Sequence, residues 1–344
     1  MLIVNGRYRG QRLSGVQRVA HEIESRLSSR RMVLTPRRAG GPAGYAWEQA
    51  VLPLRTHGDL LWSPCNLGPI ACRHQIVTIH DAAIFDHPEW FSRAFAGMNT
   101  AIWSVLARRV HRIVTVSHFS QGRLSEAFGI PPREIEVVWN GVDERFRPAS
   151  EAQIAEACAA FGLTRDQPYF ATLSTIEPRK NLGLVVRAFQ SARGQLPRET
   201  ALLVIGAKGS SAVFAEGGSV ARLDGEGVVM SGYVPDELLA PLLAGSLGVL
   251  YPSLYEGFGL PVLEAMACGA PVVTTNLTSL PEVGGDAALY VDPYDPEDLA
   301  KVLIRLAESV ALREDRGEMG LARARLFSWN GAARKMDEIF ARHA

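Results

Sequence analysis

Short apolar runs bounded by Gly, Pro, Asn or Asp alternate along the chain with longer segments whose apolar residues recur at helical spacing. This alternation is typical of parallel β-sheets, because two parallel strands need a crossover connection that is usually a helix. Near-continuous runs of Val, Ile and Leu predict strands covered by helices on both faces, as in doubly wound folds. The sequence therefore predicts an α/β protein.

The predicted strands fall into two sets. The first set comprises residues 2–5, 60–63, 76–79, 113–116 and 135–138. The second set comprises residues 169–173, 202–205, 228–231, 249–251, 272–275 and 289–291. A polar, alanine-rich segment, residues 148–164, separates the sets and is predicted to be the linker region. Because one core stops growing at roughly 250–300 residues, we expect two domains, 1–160 and 161–326, followed by a C-terminal helix over 327–344.

Composition limits the class of protein further. Hydrophobic residues make up 47% of the chain and charged residues 21%, so each half can bury a core without disulfides or a structural metal. The four cysteines form no Cys-x-x-Cys pair, which favours a reducing cytoplasm. No apolar run approaches the roughly 18 residues that span a bilayer, and the first five residues are too short for a signal peptide. We expect a cytoplasmic protein whose membrane contact, if any, is peripheral.

Positive charge is concentrated near the N-terminus. The formal net charge is zero, but residues 1–75 contain eleven Arg and four acidic residues. This asymmetry predicts an anionic surface or substrate facing the first half, with a solvated basic face as the alternative. The arginines around the first strand and the following helix are Arg7, Arg9, Arg12, Arg18, Arg26, Arg30 and Arg31.

Ligands of open α/β sheets bind beyond the carboxyl ends of the strands, so residues that follow a strand are candidate site residues. His80 and Asp81 follow the third strand, and residues 177–181 follow the first strand of the second set. Residues 255–261 follow the strand that ends near Tyr251. A glycine-containing turn, residues 10–15, leads into a helix that is predicted to start near Val16.

The segment 256–264 carries the most specific signal. Gly257 and Gly259 allow the backbone to approach a ligand closely, and Pro261 suits the first turn of a helix that begins near Leu260. The free N–H groups of that helix terminus favour an anion such as pyrophosphate. The alternative is a glycine-rich turn with two solvated glutamates.

This segment, Glu-Gly-Phe-Gly-Leu-Pro-Val-Leu-Glu, followed by Ala-Met-Ala-Cys-Gly, resembles the signature of the family 4 glycosyltransferases. Further matches are residues 115–120, 140–143, 177–182 and 232–234. The resemblance covers nearly the whole chain and is weakest before residue 75. Two places depart from the pattern: the turn 10–15 is longer than expected, and Ser174-Thr175 replaces a common glycine.

The resemblance implies a GT-B fold, in which two Rossmann-like domains face each other across a cleft, and a nucleotide-sugar donor. Glu256 would accept hydrogen bonds from hydroxyls of the donor sugar, whereas Glu264 would hold the ribose. The backbone N–H groups of Phe258 and Gly259 would contact the sugar, and that of Leu260 the phosphates. The donor-binding set also includes Gly15, Gly257, Gly232 and Tyr233.

The resemblance also implies that Arg179 and Lys180 neutralise the diphosphate as its charge grows. The chain contains only four Lys against 32 Arg, which favours a specific role for Lys180 over a solvated basic pair. His80 would point into the cleft near the transferred sugar, with a core histidine as the alternative. No Asp-x-Asp motif occurs, and Asp292, Asp295 and Asp298 are spaced differently, so no cofactor or divalent metal is expected.

Family membership implies retention of the anomeric configuration, by front-side attack or, alternatively, with Glu256 as a covalent nucleophile. Residues 177–182 are similar to bacterial mannosyl- and rhamnosyltransferases of cell-surface polysaccharide assembly, which suggests GDP-mannose and a saccharide or lipid-linked acceptor, and no nucleic acid. Two rival classes stay open. One is a non-catalytic sugar-nucleotide-binding protein; the other is a nucleotide-dependent oxidoreductase, although no Gly-x-Gly-x-x-Gly follows a strand and residues 206–210 are not that motif.

Overall fold

The computed structural model describes residues 1–164, 166–173, 177–206 and 225–344. The chain packs as two compact units, which we call unit 1 and unit 2. Unit 1 comprises Met1–Pro88, Arg93–Gly141 and Phe327–Ala344, and unit 2 comprises Glu89–Ser92 and Val142–Leu326. Grouped by packing, the chain therefore divides after Gly141, earlier than the division predicted at residue 160.

Strands and helices alternate along most of the described residues. The strands are β1 (Leu2–Asn5), β2 (Arg31–Leu34), β3 (Leu60–Ser63), β4 (Gln75–Thr78), β5 (Arg112–Thr115), β6 (Ile135–Val137), β7 (Tyr169–Leu173), β8 (Ala201–Ile205), β9 (Val228–Gly232), β10 (Gly248–Tyr251), β11 (Val272–Thr274) and β12 (Leu289–Tyr290). The α-helices are α1 (Gly15–Arg26), α2 (Gly41–Ala46), α3 (Leu52–Thr56), α4 (Ala83–Asp86), α5 (Arg93–Ala107), α6 (His118–Phe128), α7 (Glu151–Ala159), α8 (Leu182–Ala192), α9 (Asp236–Ala244), α10 (Leu260–Ala267), α11 (Leu280–Gly284), α12 (Pro296–Glu308), α13 (Val310–Ala324) and α14 (Trp329–His343).

The sheet of unit 1 has the order β2-β1-β3-β4-β5-β6, and every pairing between its strands is parallel. Its central strands β1, β3 and β4 are completely buried, as their apolar sequences predict. All five strands predicted for this half are confirmed within one residue at each end. The prediction missed β2, an edge strand that pairs only with β1 and leaves Met32 exposed.

The sheet of unit 2 has the order β12-β11-β10-β7-β8-β9 and is also parallel throughout. Counted within the unit, this is the strand order of dinucleotide-binding folds, in which the direction of winding reverses between the first and the fourth strand. Here the reversal lies between β7 and β10, which are neighbours in the sheet. A crevice for ligands is expected beyond the carboxyl ends of these two strands.

Helix α7 lies within the segment predicted to be a linker. Its N-terminus is a capping box, in which Ser150 accepts a hydrogen bond from the backbone of Gln153 and the Gln153 side chain accepts one from Ser150. Alanine-rich sequences favour helices, and α7 buries Ala157 and Cys158 within unit 2. The segment predicted to be the linker region thus contains a helix that packs in unit 2.

The C-terminal helix α14 packs in unit 1 against α1. It buries Trp329, Met336, Ile339 and Phe340 along one face. The Asp337 carboxylate accepts hydrogen bonds from the backbone and side chain of Ser28, at 2.8 and 2.7 Å, and from those of Ser29. These four bonds cap the chain just after α1 and fix α14 beside it.

Among the helices of the described residues, none combines the length and the apolar character that a membrane span requires.

Gly141 packs directly against the start of α14. A Cβ at this position would lie 2.0 Å from the Trp329 nitrogen and 2.4 Å from the Ser328 carbonyl carbon. Gly141→Ala is therefore expected to destabilise the protein by about 1–3 kcal/mol, as overpacking does. Thermal unfolding should show a lower Tm.

The matched control is Gly122→Ala in α6, where a Cβ would meet no atom within 4 Å. Because alanine favours a helix over glycine by about 1 kcal/mol, this variant should keep or raise the Tm. Equal Tm values for Gly141→Ala and the wild type would contradict the close packing of Gly141 against α14.

Candidate active site

The candidate active site lies in unit 2 at the carboxyl ends of β7 and β10, where the winding of the sheet reverses. Pro178 starts a short 3-10 turn that ends at Lys180, and Asn181 then adopts a left-handed backbone (φ 55°). This turn follows β7 and places Arg179 and Lys180 beside the loop that follows β10. Two contacts connect the segments: the Arg179 carbonyl accepts from the Leu254 backbone N–H at 2.8 Å, and it lies 2.9 Å from the Ser253 hydroxyl oxygen, whose single hydrogen it shares with the Glu256 carboxylate.

Glu256 is the centre of a buried cluster of polar side chains. Its Oε1 accepts hydrogen bonds from Lys180 Nζ at 2.6 Å, the Tyr251 hydroxyl at 2.8 Å and the Ser253 hydroxyl at 2.8 Å. Its Oε2 accepts one from Arg179 Nη1 at 3.2 Å. The structure therefore brings three predicted site residues, Glu256, Arg179 and Lys180, into contact, and their roles stay predictions.

The cluster keeps the Glu256 carboxylate ionised although only 6% of the residue is exposed. Burial pushes the pKa of this carboxyl upwards, but Lys180 and Arg179 together outweigh burial and lower the pKa to about 2. Arg179 also binds Glu177 through its Nε at 2.9 Å, so two cations face two carboxylates. Such pairing is what makes a buried charge tolerable.

Tyr251 and Ser253 belong to the cluster and were not predicted from the sequence. The Tyr251 hydroxyl donates to Glu256 and also accepts from Lys180 Nζ, which lies 4.9 Å from the centre of the tyrosine ring. Tyr251 ends a fully buried strand, so its sequence context predicts a core residue. The only available signal was its position as the last residue of a strand at the carboxyl edge.

The backbone of Glu256 is held by the segment that follows β11. Its N–H donates to the Thr278 hydroxyl at 3.2 Å, and its carbonyl accepts from the Ser279 hydroxyl at 2.9 Å. Thr278 itself has a left-handed backbone (φ 57°). These contacts were also missed, although Thr and Ser side chains in a loop, here Thr278 and Ser279, often hydrogen-bond to the backbone.

Helix α10 begins at Leu260, which confirms the predicted start. Its N-cap is Gly259, with φ 103°, a conformation that other residues rarely adopt. The N–H groups of Val262 and Leu263 already bond the Gly259 carbonyl, whereas those of Gly259 and Leu260 have no acceptor among the residues that the structure describes. These two groups are available to an anion.

The other residues predicted to contact the nucleotide-sugar donor are placed as follows. Gly257 and the buried Phe258 precede α10, and Glu264 lies in this helix, buried to 7% exposure. Gly232 ends β9 with φ 66°, and the next residue, Tyr233, is 76% exposed. Their roles stay predictions. Gly15 is the first residue of α1 in unit 1, and its role also stays a prediction.

His80 lies buried in unit 1. Its Nε2 donates to the Pro64 carbonyl at 2.9 Å, and its backbone N–H donates to Asn66 Oδ1 at 2.8 Å. Burial lowers the pKa of the imidazole, so it is neutral at pH 7. These contacts are those of a core histidine; a role near the sugar stays a prediction. Residues 174–175 and 207–210, whose sequences departed from the expected motifs, lie outside the described residues.

The aspartates that follow β12 act locally. Asp292 accepts from the Tyr294 N–H, Asp295 caps α12 by accepting from Glu297, and Asp298 accepts from the Asp292 N–H. Across residues 1–164, 166–173, 177–206 and 225–344, no group of three or more His, Cys, Asp or Glu side chains could hold a metal ion.

Two known protein families match separate parts of the chain. The family described as Glycosyltransferase Family 4 matches residues 54–146, and that described as Glycosyl transferases group 1 matches residues 154–323. O-antigen chain mannosyltransferase B of Escherichia coli is 34% identical over 84% of this chain and 74% of its own length. MMP alpha-(1->4)-mannosyltransferase of Mycolicibacterium hassiacum is 30% identical over 68% of this chain. The matched part covers 55% of the length of that relative.

Solved structures show the same fold. Anabaena Alr3699/HepE in complex with UDP superposes with a TM-score of 0.78, at 17% identity and 99% coverage of both chains. WaaG, a glycosyltransferase involved in lipopolysaccharide biosynthesis, superposes with a TM-score of 0.72 at 17% identity, again with 99% coverage of both. The predicted α/β architecture of GT-B type is thereby confirmed. Since two family descriptions and a 34% identical relative agree, the chain belongs to the family 4 and group 1 glycosyltransferases.

Proposed function

We propose that this enzyme is a retaining hexosyltransferase that moves mannose from GDP-mannose to a saccharide or lipid-linked saccharide in cell-surface polysaccharide assembly. The observation that carries the proposal is the buried cluster in which Lys180 and Arg179 flank the Glu256 carboxylate. Mannose is favoured because several relatives are named mannosyltransferases, among them the O-antigen enzyme and the serotype-specific WbdA of Escherichia coli.

In the proposed reaction the bond between the anomeric carbon and the departing phosphate oxygen breaks. The acceptor hydroxyl oxygen bonds to that carbon from the same face and gives its proton to the departing phosphate. Lys180 Nζ uses two of its three N–H groups, on Tyr251 and Glu256; no described residue accepts from the third, which can bind a phosphate oxygen. The N–H group of Leu260, which no described residue accepts, supplies a further donor to the diphosphate, and that of Gly259 contacts the sugar.

Glu256 is assigned to binding sugar hydroxyls. A carboxylate only accepts hydrogen bonds and has about four acceptor sites. From the described residues Oε2 accepts one bond, of 3.2 Å from Arg179, which leaves it capacity for a hydroxyl. The same cluster disfavours a covalent role, because a carboxylate whose charge is balanced by two adjacent cations is a weak nucleophile.

The first prediction concerns donor and metal. GDP should raise the Tm more than UDP or dTDP, since a ligand at 100 times its Kd stabilises by about 2.7 kcal/mol. Turnover of GDP-mannose should survive EDTA, because Arg179, Lys180 and backbone N–H groups supply the positive charge. The product should keep the anomeric configuration of the donor, as read by NMR.

Turnover that EDTA abolishes and Mg²⁺ or Mn²⁺ restores, or an inverted product, would contradict the proposal. Stabilisation by UDP alone would refute GDP-mannose as the donor and leave the transferase assignment in place. A folded chain that binds nucleotide but neither transfers nor hydrolyses any nucleotide sugar would support the non-catalytic alternative. Binding of NAD would support the oxidoreductase.

The second prediction separates the two glutamates. Glu256→Gln keeps the shape but removes the charge, and should lower kcat roughly 100-fold because contacts to the sugar strengthen as charge develops. Glu264→Gln should raise the donor KM roughly tenfold with little change in kcat, since ribose contacts are the same throughout the reaction. Steady-state kinetics measures both. Pure KM effects of equal size at both positions would show that the roles are assigned wrongly.

The third prediction concerns a peripheral contact with the anionic cytoplasmic leaflet. The structure pairs several basic residues internally: Arg7 with Glu48, Arg9 and Arg31 with Glu24, and Arg26 with Glu22. Arg30, Arg37 and Arg38 are exposed and have no ion pair among the described residues. Their reversal to Glu should abolish sedimentation with anionic vesicles, since each basic residue near such a surface contributes about 1 kcal/mol.

The control reverses three exposed arginines of unit 2, Arg187, Arg305 and Arg325, which should leave sedimentation intact. Wild-type binding should weaken with salt, as screening requires, and neutral vesicles should bind poorly. Equal sedimentation of both triple variants and the wild type would remove the membrane contact without affecting the donor site.

A further inference from the structure

Tyr251 places a phenol between the two charged groups of the site. We propose that Tyr251 is a positioning residue for sugar transfer, whose hydroxyl fixes the Glu256 carboxylate and the Lys180 ammonium relative to each other. The inference rests on the proposed function, because it concerns how these two groups meet the donor.

The geometry is a triangle of hydrogen bonds. The phenol donates to Glu256 Oε1 at 2.8 Å, it accepts from Lys180 Nζ, and Lys180 donates to the same Oε1 at 2.6 Å. Each of the three groups thus bonds both others. Because Tyr251 ends a buried strand, its ring is held by the sheet and its hydroxyl has a fixed position.

The triangle selects which oxygen of Glu256 meets the substrate. Oε1 lies within hydrogen-bond distance of three donors, on Lys180, Tyr251 and Ser253, so its roughly two acceptor sites are filled. Rotation of the carboxylate about its last bond would break these contacts. Oε2 accepts one longer bond from the described residues, that of Arg179, and is therefore the oxygen left for a sugar hydroxyl.

A tyrosine with a purely structural role in the same sheet makes different contacts. Tyr169, in β7, is equally buried, and its hydroxyl donates to the backbone carbonyl of Leu242 at 2.8 Å. The Tyr251 hydroxyl instead bonds two ionised side chains. A phenylalanine would fill the same space at position 251 and keep the ring beside Lys180, so packing alone does not account for the hydroxyl.

The test compares Tyr251→Phe with Tyr169→Phe. The donor is whichever of GDP-mannose, UDP-glucose and dTDP-rhamnose the wild-type enzyme turns over fastest. Tyr251→Phe should lower kcat roughly tenfold and keep the donor KM within about twofold, because it removes the hydroxyl that bonds both Glu256 and Lys180. Tyr169→Phe should lose stability in thermal unfolding yet keep kcat.

A double-mutant cycle measures whether the effect of Tyr251→Phe on kcat depends on Glu256, which a purely structural role would not require. If Tyr251 acts through Glu256, then adding Tyr251→Phe to Glu256→Gln should change kcat less than about twofold, since effects of coupled residues are not additive. Ser253→Ala, which removes another donor to the same oxygen, should also lower kcat and serves if Tyr251→Phe unfolds at the assay temperature.

Two results would overturn the inference: a kcat for Tyr251→Phe within about twofold of the wild type, or the full tenfold loss in the Glu256→Gln background as well. A wild-type enzyme that turns over none of the three donors would overturn the proposed function itself, and the inference with it. The wild-type assay alone therefore distinguishes the two failures.

Discussion

The organisation of unit 2 depends on a buried negative charge. Removing a carboxylate from water costs several kcal/mol unless cations and hydrogen-bond donors replace the lost solvent. For Glu256 those groups come from two neighbouring strand ends: Arg179 and Lys180 follow β7, and Tyr251 and Ser253 belong to β10 and its loop. The two strands adjoin only because the winding of the sheet reverses there. The charge therefore holds the strand ends together at the place where the fold leaves a crevice.

This pairing also bears on how a diphosphate would be bound. Arg179 and Lys180 already face Glu177 and Glu256, so an incoming diphosphate shares cations that are balanced in its absence. In the proposed reaction, negative charge would grow on the phosphate as the glycosidic bond breaks, and these cations would then interact with it more strongly than in the bound donor. An interaction that strengthens only during the reaction is the kind that raises kcat. Paired cations are thus better suited to the transition state than to tight binding of the donor.

Eleven of the twelve strands in the described residues could be predicted, because buried parallel strands are apolar on both faces and turn residues bound them. The start of α10 and the residues Glu256, Arg179 and Lys180 were also predictable, since a local motif carries them. Tyr251 and Ser253 were not, because what distinguishes them is contact with residues distant in the chain. Edge strand β2 was missed because it is half exposed and its first residue is the second of two consecutive arginines.

The charge of the basic N-terminal segment also depends on contacts between distant residues, which the local sequence does not reveal. A count of charges along residues 1–75 treats every arginine as available to solvent. In the fold, Glu24 binds both Arg9 and Arg31, at 2.5 and 2.6 Å, and Glu48 binds Arg7 from 41 residues away. A paired arginine contributes little field beyond its partner. The potential that unit 1 presents is therefore set by the unpaired, exposed arginines, and these are fewer than the sequence count indicates.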